Sequence, residues 1–122
     1  MKIAIPVNEQ ALDSAVAENF GRTANFLFFD TETQAVSFLD NSAIMSQGGA
    51  GIKAAQSVAD QGVQALITPR CGQNAVDVLN ASNIEMYQAI EGTAQVNLDA
   101  FAKGELESLS NIHAGFHHQG RL

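Results

Sequence analysis

Residues 65–79 contain a strand-like apolar run, a break at a proline and glycine turn, and then apolar residues at helical spacing. This stretch limits the folds that the chain can adopt. The first pattern is a short continuous run that stops at Pro69, whose ring fixes φ and removes the amide donor, so we predict that a strand ends there. Apolar residues return at Val76 and Leu79 with helical spacing, which predicts a helix after a short turn. Gly72 in that turn lets the backbone approach a neighbouring group closely. A strand, a turn and a helix in this order are typical of an α/β protein.

The rest of the chain supplies further strands and helices around this unit. The later strand-helix-strand crossovers require parallel strands with right-handed connections, and a hairpin adds an antiparallel pair, so we predict a three-layer α/β/α domain with a mixed sheet. The first predicted strand contains Ile3, Ile5 and Val7, and an irregular loop, Asn8–Arg22, follows it. The predicted hairpin is formed by residues 26–29 and 36–39, and a last strand covers residues 84–87. One further helix carries Ile52, Ala55, Val58 and Ala59 on one face and stops at Gly62, and another is capped by Thr93, carries Val96, Ala100 and Phe101, and stops at Gly104.

Size and composition predict one domain, residues 1–109, followed by a flexible C-terminal tail, residues 110–122. Hydrophobic residues form 46% of the 122 residues, which argues against disorder. Thirteen acids against six bases give a net charge of −7, which disfavours nucleic acid as a partner. The single cysteine cannot form an internal disulfide, and we find no signal peptide and no apolar run of the ~20 residues that a membrane helix needs. We therefore expect a cytoplasmic protein that contacts no membrane.

Cys71 lies in the turn between the central strand and its helix, at the carboxyl edge of the predicted sheet. The helix N-terminus and Arg70 would both lower the pKa of its thiol, and a thiolate is a good ligand for a soft metal. The alternative is a buried, inert cysteine. No histidine lies in a predicted helix or strand to act as a base, so we expect no enzymatic role for the thiol.

Gly49, Gly51 and Ala54 match the G-x-G-x-x-A pattern of dinucleotide-binding proteins. That pattern should follow the first strand of a β-α-β unit, and the next strand should end in an acid, whereas a polar loop precedes these glycines and no acid follows. Nucleotide binding is therefore disfavoured. Contact between the loop amides and an anion, and close packing of a helix on the sheet, both stay open.

Two other segments carry residues that could bind an anion or a metal. Arg22, in the sequence Phe20-Gly21-Arg22, could pair with an anion above the sheet. His113, His117 and His118 have a spacing that can chelate a metal on a helix, although a polar tail is the simpler interpretation of this glycine-containing segment.

Five sequence stretches, in this order and spacing, resemble the dinitrogenase iron-molybdenum cofactor biosynthesis family, which includes NifX- and NafY-type carriers and the C-terminal part of NifB. The stretches are Met-Lys-Ile-Ala-Ile-Pro-Val at the start, Glu18–Arg22, Gly48–Ile52, Ile90–Thr93 and Phe101–Leu106, and the likeness extends over residues 2–109. The resemblance implies a ribonuclease H-like fold with five strands in the order 3-2-1-4-5 and strand 2 antiparallel. It also implies a non-catalytic carrier of an iron-sulfur, iron-molybdenum or molybdenum-copper sulfide cluster, with cluster-donor and cluster-acceptor proteins as partners. We expect a monomer or a weak dimer.

This chain differs from the family pattern at two places near the expected site. Asn19 stands where relatives often carry histidine, and Cys71 lies in a turn that is commonly glycine-rich in relatives. The second difference supplies a sulfur, so cluster binding with altered ligation is expected.

Together these observations predict a cleft for an anionic metal-sulfide cluster at the carboxyl ends of the strands. Its expected walls are Asn8–Arg22, Gly48–Gly51 and Pro69–Gln73. Cys71 is the expected metal ligand, Arg22 and Arg70 supply positive charge, and the amides of Gly49, Gly51 and Gly72 donate hydrogen bonds.

Two other classes of function are alternatives to this carrier. A protein-protein interaction adaptor that holds no metal ranks second, and a nucleotide-binding module ranks third. A nuclease ranks below these, because it needs inward carboxylates for two metals and the first predicted strand contains none.

Overall fold

A computed structural model describes residues 1–41 and 49–113 of the chain. No helix within these two ranges is long and apolar enough to cross a membrane. The strands are β1 (Lys2–Val7), β2 (Asn25–Asp30), β3 (Val36–Asp40), β4 (Ala65–Thr68), β5 (Cys71–Gly72), β6 (Glu85–Gln88) and β7 (Ile112–His113), and the helices are α1 (Ala50–Asp60), α2 (Gln73–Ala81) and α3 (Ala94–Ala102).

Five strands form one mixed sheet in the order β3-β2-β1-β4-β6. The strand β2 is antiparallel to both of its neighbours, with Ile5 opposite Leu27 in β1 and β2, whereas β1, β4 and β6 are parallel. The predicted hairpin is therefore confirmed, and so is a mixed five-stranded α/β sheet. In this order β1, β3 and β4 all run in the same direction, so their carboxyl ends meet at one edge.

The two faces of the sheet are covered by different helices, because alternate residues of each strand point to opposite sides. Ala4, Phe28 and Leu66 contact the core formed with α1 and α2. Ile5 and Ile67 contact a second core formed with α3. This arrangement makes three layers, with α1 and α2 packed side by side on one face.

The helix ends agree with the glycine and threonine signals in the sequence. Gly62 and Gly104 follow α1 and α3 with φ of 75° and 71°, a conformation that glycine adopts without a steric penalty. The Thr93 side chain accepts a hydrogen bond from the Val96 amide, as expected of a capping residue.

Two residues predicted to lie on buried helix faces are exposed. Ile52 of α1 is 36% exposed and Val96 of α3 is 43% exposed. Both lie in the first turn of their helix, where helical spacing alone does not predict burial.

Part of the segment predicted as a flexible tail, residues 110–122, is paired with the rest of the domain. Ile112 and His113 form β7, which pairs in parallel with Cys71 and Gly72 of β5. A two-residue strand has too short a pattern to be recognised from sequence. Residues 114–122 of the predicted tail, with His117 and His118, lie outside the described residues.

We expect Asn97→Ala to lower the free energy of unfolding by about 2–3 kcal/mol, because it removes the three side-chain hydrogen bonds that join α3 to the turn before it. The Asn97 side chain is fully buried, accepts a hydrogen bond from the Ile90 amide at 2.8 Å, and donates to the carbonyls of Ile90 and Thr93. Urea unfolding measures the change. Asn80→Ala, at an exposed helix position, is the control and should change the stability little. Equal losses of stability in the two variants would contradict the structural role of the Asn97 side chain.

Candidate functional site

A cavity of about 280 Å³ lies where three chain segments meet, at the edge of the sheet that carries the carboxyl ends of β1, β3 and β4. Each segment follows one of these strands along the chain. Parts of all three predicted walls therefore come together, while Gly48 lies outside the described residues. The cavity is lined by Asn19, Phe20, Gly21, Arg22, Gly49, Ala50, Gly51, Ile52, Gly72, Gln73, Asn74, Ala75 and His113.

A direct contact between two backbones joins the first two walls. A Cβ atom on Gly21 would lie 2.8 Å from the Cα atom of Gly51, a distance that side chains do not reach. The fully buried Asn41 holds the same loop from behind, since its side-chain amide donates to the carbonyls of Gly21 and Thr23 at 3.4 and 3.0 Å. The loop that carries Arg22 is thus fixed against the first turn of α1.

The first turns of α1 and α2 both line the cavity. Gly49 precedes α1 with φ of 74°, and Gly72 precedes α2 in an extended conformation; neither helix has a side-chain cap. The first N–H groups of a helix have no acceptor within the helix, and the helix dipole places partial positive charge there. Two such ends at one cavity favour an anion.

His113 lies in the wall of this cavity, against Gly72. A Cβ atom on Gly72 would lie 3.0 Å from Cε1 of the imidazole, so the missing side chain provides the space that the ring occupies. The sequence predicts that something approaches Gly72 closely, but the approaching group was not recognised. The signal that could have identified it is the isolated Ile-His pair after a polar stretch, which is too short to be distinctive.

Charge near the cavity differs from the average of the protein. Arg22 lines the cavity, and none of its described lining residues is acidic, although the whole chain carries a net charge of −7. Arg70, the second predicted source of positive charge, is exposed and is not among these lining residues. The structure therefore places Arg22 at the site and Arg70 away from it.

Cys71 is not in the cavity wall, and the prediction that its pKa is lowered is wrong. Cys71 is only 1% exposed and belongs to the core between the sheet, α1 and α2. Burial raises the pKa of the Cys71 thiol to about 12, although a hydrogen bond from the Gly72 backbone acts in the opposite direction. Successive residues of a strand point to opposite sides, so on β5 Gly72 faces the cavity and Cys71 faces the core. The thiol of Cys71 therefore does not line the cavity.

Comparison with known proteins agrees with this architecture. The sequence model of the family described as dinitrogenase iron-molybdenum cofactor matches residues 1–104. The chain belongs to this family.

Relatives within and around this family have similar lengths and folds. The apo form of the orange protein from Desulfovibrio gigas has 33% identity and a TM-score of 0.85, over 90% of this chain and 93% of that one. A candidate NifB protein from Thermotoga has 37% identity and a TM-score of 0.79, over 88% and 92%. An uncharacterised protein of Methanocaldococcus jannaschii is 28% identical over 110 residues, which are 88% of this chain and 90% of the relative.

The family match covers the three chain segments that meet at the cavity but does not reach His113, which also lines it. Residues 19–22, 49–52 and 72–75 all lie inside the matched range 1–104, whereas His113 lies beyond it. The histidine thus comes from outside the range that the family model matches.

Gly21→Ala should lower the free energy of unfolding by about 1–3 kcal/mol, because its methyl group would overlap main-chain atoms that cannot rotate away. The matched variant is Gly51→Ala, where the new methyl group would lie an ordinary 3.8 Å from Ala75 and alanine favours the helix. Thermal or urea unfolding compares the two. A Gly21→Ala protein as stable as Gly51→Ala would show that the two backbones are not in contact.

The buried thiol of Cys71 should react slowly with a soluble thiol reagent. A rise from the ordinary 9.0 to about 12 lowers the thiolate fraction at neutral pH about 1000-fold. Unfolded protein in urea serves as the control. Since the folded pKa is raised, the protonated thiol stabilises the fold fully below pH 9.0, and this contribution is lost as the pH rises towards about 12. Equal reaction rates for folded and unfolded protein would contradict the burial.

Proposed function

We propose that this protein is a non-catalytic carrier that holds an anionic metal-sulfide cluster, of the iron-sulfur, iron-molybdenum or molybdenum-copper type, in the cavity between α1 and α2. The convergence of two helix N-termini on one cavity carries this proposal. Metal-sulfide clusters carry negative charge through their sulfides, and their surface sulfides accept hydrogen bonds. The cluster is cargo, bound and later passed on.

The residues present suit such an anion better than a bare metal cation. The cavity wall contains the first turns of two helices, Arg22, and the polar residues Asn19, Gln73 and Asn74. All of these include hydrogen-bond donors. Within residues 1–41 and 49–113, no three histidine, cysteine, aspartate or glutamate side chains come together as metal ligands. A cation would therefore have few ligands, whereas an anion would have many donors.

Binding through hydrogen bonds and charge also suits a carrier. A thiolate-metal bond would have to break before the cargo could leave, and the only cysteine of the chain is buried. Donor groups on a rigid scaffold hold the cluster without exchanging its ligands, so release requires no covalent step.

Membership of the iron-molybdenum cofactor family supports the assignment to metal-cluster chemistry. Similarity to a candidate NifB protein supports it in the same way. We further propose that the fold is ribonuclease H-like, on the strength of the strand order and the antiparallel β2. Cytoplasmic cluster-donor and cluster-acceptor proteins would be the partners, and the carrier would act as a monomer or a weak dimer.

Arg22→Gln should weaken cluster binding about 10-fold, because a hydrogen bond to a charged group contributes about 1.5–3 kcal/mol. Arg70→Gln is the matched control, since it removes the same charge from an exposed position outside the cavity wall. Binding of tetrathiomolybdate, a thiometallate anion, is followed anaerobically through its visible absorption. A parallel reconstitution with iron, sulfide and molybdate measures metal per chain.

Equal weakening by the two arginine variants would indicate binding to the general surface and would contradict the proposed site. Failure of the wild-type protein to retain any metal or thiometallate would contradict the carrier function. In that case a pull-down that survives chelators would favour the protein-protein adaptor.

A further inference from the structure

The C-terminal segment beyond the family-matched range runs back along the sheet towards the cavity. It passes the outer edge of β6, where the Gln88 amide donates to the Glu107 carbonyl at 2.7 Å and the Leu109 amide donates to the Met86 carbonyl at 3.0 Å. Its end then pairs with β5, and the Cys71 amide donates to the Asn111 carbonyl at 3.1 Å. Residues 107–113 therefore form an ordered strap, which we call the C-terminal strap.

One side chain fastens this strap to the turn before α2. The Gln88 side-chain oxygen accepts hydrogen bonds from the amides of Ser110 and Asn111 at 3.1 and 3.2 Å. Its side-chain nitrogen donates to the Pro69 carbonyl at 2.6 Å. Gln88 thus links the end of β4 to the part of the strap that lies two residues before His113.

The strap places an imidazole at a defined position in the cavity wall. The His113 ring is half-buried and lies against Gly72, with Cε1 and Nε2 at 3.0 and 3.5 Å from the position that a Cβ atom would take. Gly72 has φ of −75°, which any residue can adopt, so its backbone conformation does not require glycine. Glycine is needed here because a side chain would occupy the space of the imidazole ring.

An imidazole in this cavity joins a set of hydrogen-bond donors. It shares the wall with Arg22 and the first turns of two helices. A neutral imidazole carries one N–H donor and a protonated one carries two. With no set of three metal-binding side chains in the described part of the chain, donation to the anion fits this wall better than ligation of a metal.

We propose that His113 is a cargo-binding residue which donates an N–H hydrogen bond to a sulfide of the anion, and that Gln88 is the residue that positions it. This inference rests on the proposed function and adds to it a contact from outside the family-matched region. The strap would give this chain a firmer hold on a thiometallate than the shared cavity provides alone.

Two substitutions of His113 separate a donor from a space-filling ring. His113→Phe keeps a ring over Gly72 without an N–H, and His113→Gln keeps a donor without the ring. We expect His113→Phe to raise the dissociation constant for tetrathiomolybdate about 10-fold, and His113→Gln to retain most of the affinity. Asn80→Phe, which adds a ring at an exposed position outside the cavity wall, is the control and should bind like the wild type.

The positioning role of Gln88 is tested by a second pair of variants. Gln88→Ala removes the four side-chain hydrogen bonds to Pro69, Ser110 and Asn111, whereas Gln64→Ala removes one side-chain contact to the Lys2 amide at the far end of β4. The readout is the shift of the His113 imidazole C–H resonances when tetrathiomolybdate is added. We expect Gln88→Ala to abolish this shift and Gln64→Ala to preserve it, whatever the two variants do to thermal stability.

The outcomes distinguish this inference from the function on which it rests. If the wild type binds tetrathiomolybdate and His113→Phe binds it equally well, the inference is overturned and the carrier function stands. An unchanged imidazole shift in Gln88→Ala would overturn the positioning role. If the wild type does not bind tetrathiomolybdate at all, the proposed function is overturned together with the inference.

Discussion

The candidate site depends on the close approach of the Gly21 and Gly51 backbones. A methyl group at Gly21 would come within 2.8 Å of main-chain atoms, so this contact forms only where the loop residue has no side chain. It brings the loop after β1 against the first turn of α1, while the sheet order places α2 next to α1 on the same face. The first turns of both helices then line one cavity. Without this contact the arginine loop and the helix ends would be separate features of the surface.

Local and total charge have opposite signs in this protein. The chain carries a net charge of −7, yet the described wall of the cavity contains an arginine, a histidine, two helix N-termini and no acid. Short-range donors determine what a cavity binds, because distant surface charges are screened over about 8 Å at physiological ionic strength. An acidic exterior around a donor-rich cavity is compatible with selective binding of a small anion. It also disfavours nucleic acid, whose extended charge would meet the acidic surface.

Regular elements with a clear period could be predicted from the sequence, and tertiary contacts could not. The apolar pattern at Ile3, Ile5 and Val7 identified β1, although this strand is buried on both faces. The helical spacing at Val76 and Leu79 identified α2, because burial of one face of a helix imposes that period. Ile52 has the same spacing as its buried neighbours but lines the cavity and is exposed. The spacing of apolar residues shows which side of a helix is apolar, but it does not show how far along the helix that side is covered by other residues.

The two residues whose roles changed most, Cys71 and His113, lie on one short parallel pairing. A lone cysteine beside a helix N-terminus has the sequence context of a reactive thiol, but the pairing of β5 with β7 turns it towards the core. The same pairing brings His113 to the cavity from about 40 residues away in the chain. A two-residue strand is too short to show a period, so the sequence could not predict that Cys71 faces the core or that His113 faces the cavity. The predicted walls were nevertheless found together, since they follow from the topology of parallel strands.

The most direct test of the anion cavity is a crystal structure of protein loaded anaerobically with tetrathiomolybdate, with anomalous diffraction recorded at the molybdenum absorption edge. We predict a molybdenum peak between the first turns of α1 and α2, with the sulfides of the anion within hydrogen-bonding distance of the helix amides. A peak in another place, such as the open groove between α2 and β6 lined by Asn80 and Tyr87, would contradict it.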